Sequence, residues 1–198
     1  MFRFSVSRGQ SVNAAIHSSG PVLVCGALVL GLAISLISLR PVVNQPFSPA
    51  VAALILASAA LLLLALPGMY AAQADAAGTL GLVGHALLMM GLLLPVVIAA
   101  TPLLYPSVTQ ASGENAVVFG LGIALTLGLL LTAIATFQAD VFPRPAAVLL
   151  LAATAGFFFV FFIAEFLPPA AGQIGSASFG ILLAAGFAWI GIALWLRS

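Results

Sequence analysis

The sequence predicts an all-α polytopic membrane protein: a six-helix transmembrane bundle with short loops and both termini in the cytoplasm. Hydrophobic residues make up 64% of its 198 residues and charged residues 5%, with a mean hydropathy of +1.30. A soluble domain usually carries about 25% charged residues, because water must solvate its surface. So little charge cannot coat a water-soluble globule, and we therefore expect lipid to be the main solvent.

Six apolar runs follow a polar N-terminal segment, residues 1–20, which we expect to be cytoplasmic. Each is close to the ~20 residues that cross ~30 Å of hydrocarbon as a helix. A β-barrel would require period-two alternation, which the runs lack. The runs, which together form a transmembrane domain over residues 21–198, are 21–39, 47–71, 78–101, 115–137, 145–167 and 174–196.

Arginine placement predicts the orientation, because cytoplasmic loops carry an excess of positive charge. With the N-terminus inside, Arg3, Arg8, Arg144 and Arg197 face the cytoplasm and Arg40 alone lies outside. The short connections predict that consecutive helices are antiparallel neighbours.

Two predicted cytoplasmic turns hold three of the nine charged side chains. Asp75 lies in the stretch "QADAAG" between the second and third runs, and Asp140 and Arg144 flank "VFP" between the fourth and fifth. Pro143 cannot extend the preceding helix, and Asp140 precedes the positive end of the next one, which favours a carboxylate. We interpret these four residues as topology and turn determinants.

The two turns also share a tripeptide. Gln-Ala-Asp occurs at 73–75 and again at 138–140, and Gly91 matches Gly156 at the same offset. This indicates a candidate parallel repeat, 50–105 and 115–170, of a kind found in some transporters.

His85 is the one ionisable side chain predicted to lie well inside a helix. Ionisable groups within membranes are costly and often functional. Three roles are open: a neutral core histidine bonded to a neighbouring helix, a ligand to a haem or chlorophyll-type pigment, or a proton-relay or substrate contact. Nearby glycines would allow either close helix packing or a flat ligand.

Pro95 is predicted to kink the third helix, because proline removes a helical hydrogen bond and clashes with the carbonyl of Gly91. Such breaks line cavities in transporters, although they also occur in helices of no special function.

Catalytic and metal sites are not predicted, and neither is nucleic-acid binding. The sequence lacks HExxH, GxSxG and P-loop motifs, and Cys25 is the only cysteine. A net charge of +1 cannot supply the basic surface that nucleic acids require.

The stretches "ATFQADVFPRPAAVLLLAATAG" and "YAAQADAAGTLGLVGHALLMMG" resemble small multi-helix integral membrane proteins of bacteria. The resemblance implies a helical bundle and confers no functional residues.

The function predicted first is non-catalytic: a structural or accessory subunit of a larger membrane complex, in contact with lipid and other membrane subunits. The alternative is a small transporter or channel for a neutral or apolar solute. No cofactor is expected, unless His85 holds a pigment. The predicted location is the bacterial inner membrane, as a multi-pass protein.

Overall fold

The computed structural model of the chain describes residues 5–38, 48–104, 112–163, 166 and 168–196. Regular structure within these ranges is entirely helical, which confirms the all-α prediction. Arg3, Arg40 and Arg197, which enter the orientation prediction, lie outside the described residues. The elements are α1 (Ser5–Ser38), α2 (Pro49–Gly91), α3 (Leu93–Leu104), α4 (Ser112–Ala139), α5 (Arg144–Phe158), a π-helical segment (Phe159–Ile163) and α6 (Pro169–Trp195).

Five helical segments in the described chain are long and apolar enough to cross a membrane. Four are 20 to 26 residues long, but the second is 52 residues long. The segments are Ile16–Leu36, Pro49–Ala100, Ala116–Ala139, Arg144–Ile163 and Ala170–Trp195.

The polar N-terminal segment is continuous with the first apolar helix. Helix α1 begins at Ser5 and passes through the predicted boundary at residue 20 without interruption. Ser19 is buried and donates a hydrogen bond to the carbonyl of Ile16, so its hydroxyl needs no water. Residues 16–20 are therefore already part of the bundle.

Helix α2 reverses direction at Gly78. This residue has φ +54° and ψ −147°, a conformation essentially restricted to glycine. The side chains of Gln73 and His85 approach to 3.4 Å, whereas twelve residues of straight helix would separate them by roughly 18 Å. The chain therefore forms two side-by-side arms, residues 49–77 and 79–91.

The position of this reversal differs from the sequence prediction. Residues 73–77 continue the helix rather than forming a turn, and Gln73 is buried within it. One glycine suffices because its backbone conformation lies outside the helical region. Asp75 lies exposed less than one turn before the reversal.

The helices pack in a ring in chain order, with α6 returning to contact α1. Gly20 of α1 contacts the backbone of Gly191 and Trp195 near the end of α6. Thr136, near the end of α4, bonds to Gln73, near the end of the first arm of α2. The Gly78 reversal and the 140–143 connection therefore lie at the same end of the bundle, which we call the turn end.

The second arm of α2 and α4 approach each other through glycine. A Cβ atom built on Gly84 would lie 2.7 Å from the backbone nitrogen of Thr132, and one on Gly128 would lie 2.6 Å from Cα of Leu88. Such distances are shorter than side chains tolerate, so glycine at these positions brings the two backbones together.

The two copies of the Gln-Ala-Asp tripeptide have different surroundings. Gln73 is buried, whereas Gln138 is exposed on the surface of α4, next to the exposed Phe137. The first connection reverses at Gly78, three residues after Asp75, while Asp140 itself has a positive φ of 51°. The repeat, 50–105 and 115–170, stays a prediction, and its two turns are built differently.

Candidate functional site

A buried chain of hydrogen bonds joins both arms of α2 to α4. The hydroxyl of Thr136 donates to Oε1 of Gln73 at 3.2 Å, and Nε2 of Gln73 lies 3.4 Å from Nε2 of His85. Nδ1 of His85 lies 2.8 Å from the carbonyl oxygen of Gly81. The three side chains are between 1% and 4% exposed, so these hydrogen bonds are shielded from solvent.

The donors and acceptors of this network of hydrogen bonds fit a neutral imidazole that is protonated on Nδ1. A carbonyl can only accept, so Nδ1 of His85 carries the proton that bonds to Gly81. Nε2 is then an acceptor for the Gln73 amide, whose oxygen accepts from Thr136. A neutral imidazole therefore satisfies every polar atom of His85, which corresponds to the first of the three roles considered above.

The surroundings of His85 are filled by protein. The ring of Tyr70 lies 5.3 Å from the imidazole, centroid to centroid. At Gly84, the second arm of α2 packs directly against the backbone of α4, which leaves no space there for a flat ligand. A pigment at Nε2 would have to displace Gln73, which lies 3.4 Å from that atom.

Gln73 and Thr136 are members of this polar chain that sequence reasoning missed. The sequence predicts a turn at Gln73, where a polar residue needs no explanation. Thr136 is one of several threonines in apolar helices, which usually bond to their own backbone. Thr126 and Thr154 do so here.

The remaining turn residues lie on the surface of the turn end. Nε of Arg144 is 3.2 Å from Oδ1 of Asp140, and both side chains are about two-thirds exposed. The guanidinium also lies 5.9 Å from the centre of the Phe137 ring. An exposed ion pair contributes little to stability. Pro143 precedes the first residue of α5, and its carbonyl accepts a hydrogen bond from Ala146.

An apolar cavity of about 270 Å³ occupies the half of the bundle away from the turn end. It is partly open, and its only hydroxyl, that of Ser176, already donates to the carbonyl of Gly172. The lining residues are Leu30, Ile34, Ile55, Leu92, Leu94, Pro95, Ile98, Leu125, Phe157, Val160, Ser176, Phe179 and Leu183.

Two helix irregularities border this cavity. The helix is interrupted at Leu92, between α2 and α3, where Pro95 cannot donate to the carbonyl of Gly91. The π-helical segment contributes Val160 to the cavity wall. Short π-helical segments occur frequently at functional sites, and broken membrane helices are tolerated where they line cavities.

The phenylalanine run at 157–162 divides between the interior and the surface. Phe157 is buried, stacks on Phe161 and contacts Phe179 of α6. Phe158 and Phe162 are in contact with each other, and Phe162 also contacts Phe119 of α4. Phe119, Phe158 and Phe162 form what we call the aromatic cluster, in which Phe119 and Phe158 are exposed.

No group of three or more metal-ligating side chains occurs in the part of the chain that the structure describes. No protein-family model matches the chain, and no curated protein or solved structure is significantly similar to it. The resemblance to small bacterial membrane proteins therefore stays a prediction.

Proposed function

We propose that this chain is a non-catalytic integral membrane protein that binds a small apolar solute in its cavity, as a small transporter does. The cavity carries the proposal. Its walls are hydrocarbon apart from one hydroxyl that is already bonded, so they complement an apolar molecule. Both ring nitrogens of His85 are used inside the protein, which supports a non-catalytic role.

The size of the cavity limits what can enter it. Sites for drug-sized ligands usually have volumes of ~300–1,000 Å³, and this cavity lies just below that range. The occupant is therefore a slender molecule, or a slender part of a larger one.

We further propose six membrane crossings with both termini in the cytoplasm of a bacterial cell. The 52-residue apolar segment would be roughly 78 Å long if straight, more than twice the ~30 Å of hydrocarbon. Two crossings that meet at Gly78 account for that length. The turn end carries Arg144, which supports its cytoplasmic placement.

Cysteine labelling tests this topology. In a Cys25→Ser background, a cysteine at Ala76 or Asp140 is expected to react with a membrane-impermeant maleimide only after the cytoplasmic face is opened. A cysteine at Ser107, between the third and fourth predicted crossings, should react in intact cells. Labelling of Ala76 and Ser107 from the same side would contradict six crossings.

Photolabelling in vesicles tests the solute site. A free twelve-carbon hydrocarbon bearing a diazirine is expected to label Leu30 and Leu183, which are 7% and 3% exposed and so shielded from bulk lipid. Ser176→Phe should abolish this labelling, because the new ring fills the cavity. Ser178→Phe adds the same ring at an exposed position of the same helix, and it should leave the labelling of both leucines unchanged.

The photolabelling proposal fails if neither leucine is labelled in the wild-type protein. It also fails if both phenylalanine variants lower the labelling equally, since that would indicate a general disturbance of α6.

The accessory-subunit function is a second candidate, supported by the aromatic cluster on the surface of α4, the end of α5 and the π-helical segment. Aromatic side chains are enriched in protein interfaces. Phe158→Ala with Phe162→Ala should then release the protein from a larger particle in mild detergent. A wild-type particle of one or two copies would contradict this function.

A further inference from the structure

We infer that the occupant of the cavity is one hydrocarbon chain of a membrane lipid, which enters from the bilayer beside Ile98 of α3. This inference rests on the proposed function and identifies the class of its ligand.

The chemistry of the walls excludes the polar part of a lipid from the cavity. The Ser176 hydroxyl is committed to the Gly172 carbonyl at 2.9 Å, and no other side chain on the walls carries a polar atom. A headgroup or a carboxylate placed there would lose its hydrogen bonds to water without replacement, at a large cost in free energy. Only the hydrocarbon part of an amphipathic molecule can therefore be accommodated.

The opening of the cavity allows a bound molecule to be longer than the cavity. Ile98 is the only lining residue that is exposed, at 37%, whereas the other lining residues are buried or half-buried. The remainder of a bound molecule can thus project past α3. Since Ile98 lies within an apolar segment suited to the membrane interior, that remainder would project into the bilayer.

The depth of the cavity agrees with a lipid chain. Its lining residues on α6, Ser176 to Leu183, begin about two turns inside the helix that starts at Pro169. Lipid chains occupy the hydrocarbon layer, which begins inside the headgroup region. The interruption at Leu92, between α2 and α3, lies on the wall of the same cavity.

The test compares two photoreactive probes in vesicles that contain the full-length protein. The first is a phosphatidylcholine with a diazirine near the end of one acyl chain, and the second is the free diazirine hydrocarbon. We expect the phospholipid to label Leu30 and Leu183 in the wild-type protein and in Ser178→Phe, and not in Ser176→Phe. Exposed Leu82 should be labelled in all three, which shows that each protein is inserted in the bilayer.

The outcomes separate the two proposals. Labelling by the free hydrocarbon alone would overturn the lipid inference and leave the proposed solute site standing. Absence of interior labelling by either probe would overturn both. If Ser176→Phe misfolds, Leu183→Trp provides a second way to fill the cavity, and persistent lipid labelling of Leu30 in that folded variant would also contradict the inference.

Discussion

Gly128→Ala is expected to destabilise the protein by about 3 kcal/mol, whereas Gly120→Ala on the same helix should have no cost. A Cβ on Gly128 would lie 2.6 Å from Cα of Leu88 and 2.7 Å from the carbonyl carbon of Leu87. These are backbone atoms, so no side-chain rotation can relieve the overlap. The second arm of α2 must move away from α4, which also disturbs Gly84 and His85 on the same arm.

Gly120 provides a matched control because it lies on α4, and a methyl group added to it would meet no atom within 4 Å. Alanine is favoured over glycine inside helices by about 1 kcal/mol, so Gly120→Ala should be neutral or slightly stabilising. The measurement is unfolding by a denaturing detergent added to mixed micelles. Equal stabilities of the two variants would show that α2 and α4 do not approach at Gly128.

Gln73→Met is expected to cost about 1–2 kcal/mol, the second largest effect. Methionine has a similar volume but cannot donate to Nε2 of His85 or accept from Thr136. The histidine acceptor is left without a partner at a site where His85 is only 4% exposed. The lost hydrogen bond of Thr136 costs less free energy, because its hydroxyl can rotate and donate to a carbonyl of its own helix.

Gln138→Met is the control for this change, since Gln138 occupies the equivalent place in the second Gln-Ala-Asp and lies at the surface. We expect its effect to stay within about 0.5 kcal/mol. A double-mutant cycle of Gln73→Met with Thr136→Val should give a coupling energy near ~0.6 kcal/mol, the average for hydrogen bonds between membrane helices. A Gln73→Met variant as stable as Gln138→Met would show that the polar chain contributes nothing.

The position of Gln73 illustrates where sequence reasoning fails in this chain. Its tripeptide predicts a turn because polar residues separate apolar runs. Both glutamines lie near the end of a long apolar helical stretch, but Gln73 faces His85 and Thr136, while Gln138 lies at the surface. The tripeptide itself is the same at both sites, so it cannot distinguish them.

The phenylalanine run shows the same limit. Five phenylalanines within six residues indicate a strongly apolar surface in any environment. Whether a given ring faces lipid or the interior depends on helix rotation, which the packing of α4 and α6 decides. The π-helical segment changes that rotation within the run itself, since it shifts the angular spacing of the side chains.

The class of this protein, an all-helical chain with segments suited to a membrane, follows from its amino-acid sequence. Hydropathy and net charge are sums over individual residues, so they can be calculated without knowing which residues are in contact. Three further features emerge from the folded chain: α2 reverses at Gly78, His85 is bonded to Gln73, and a cavity lies between the helices. Each depends on contacts between residues distant in the chain, and such contacts arise from the shapes of facing surfaces rather than from local composition.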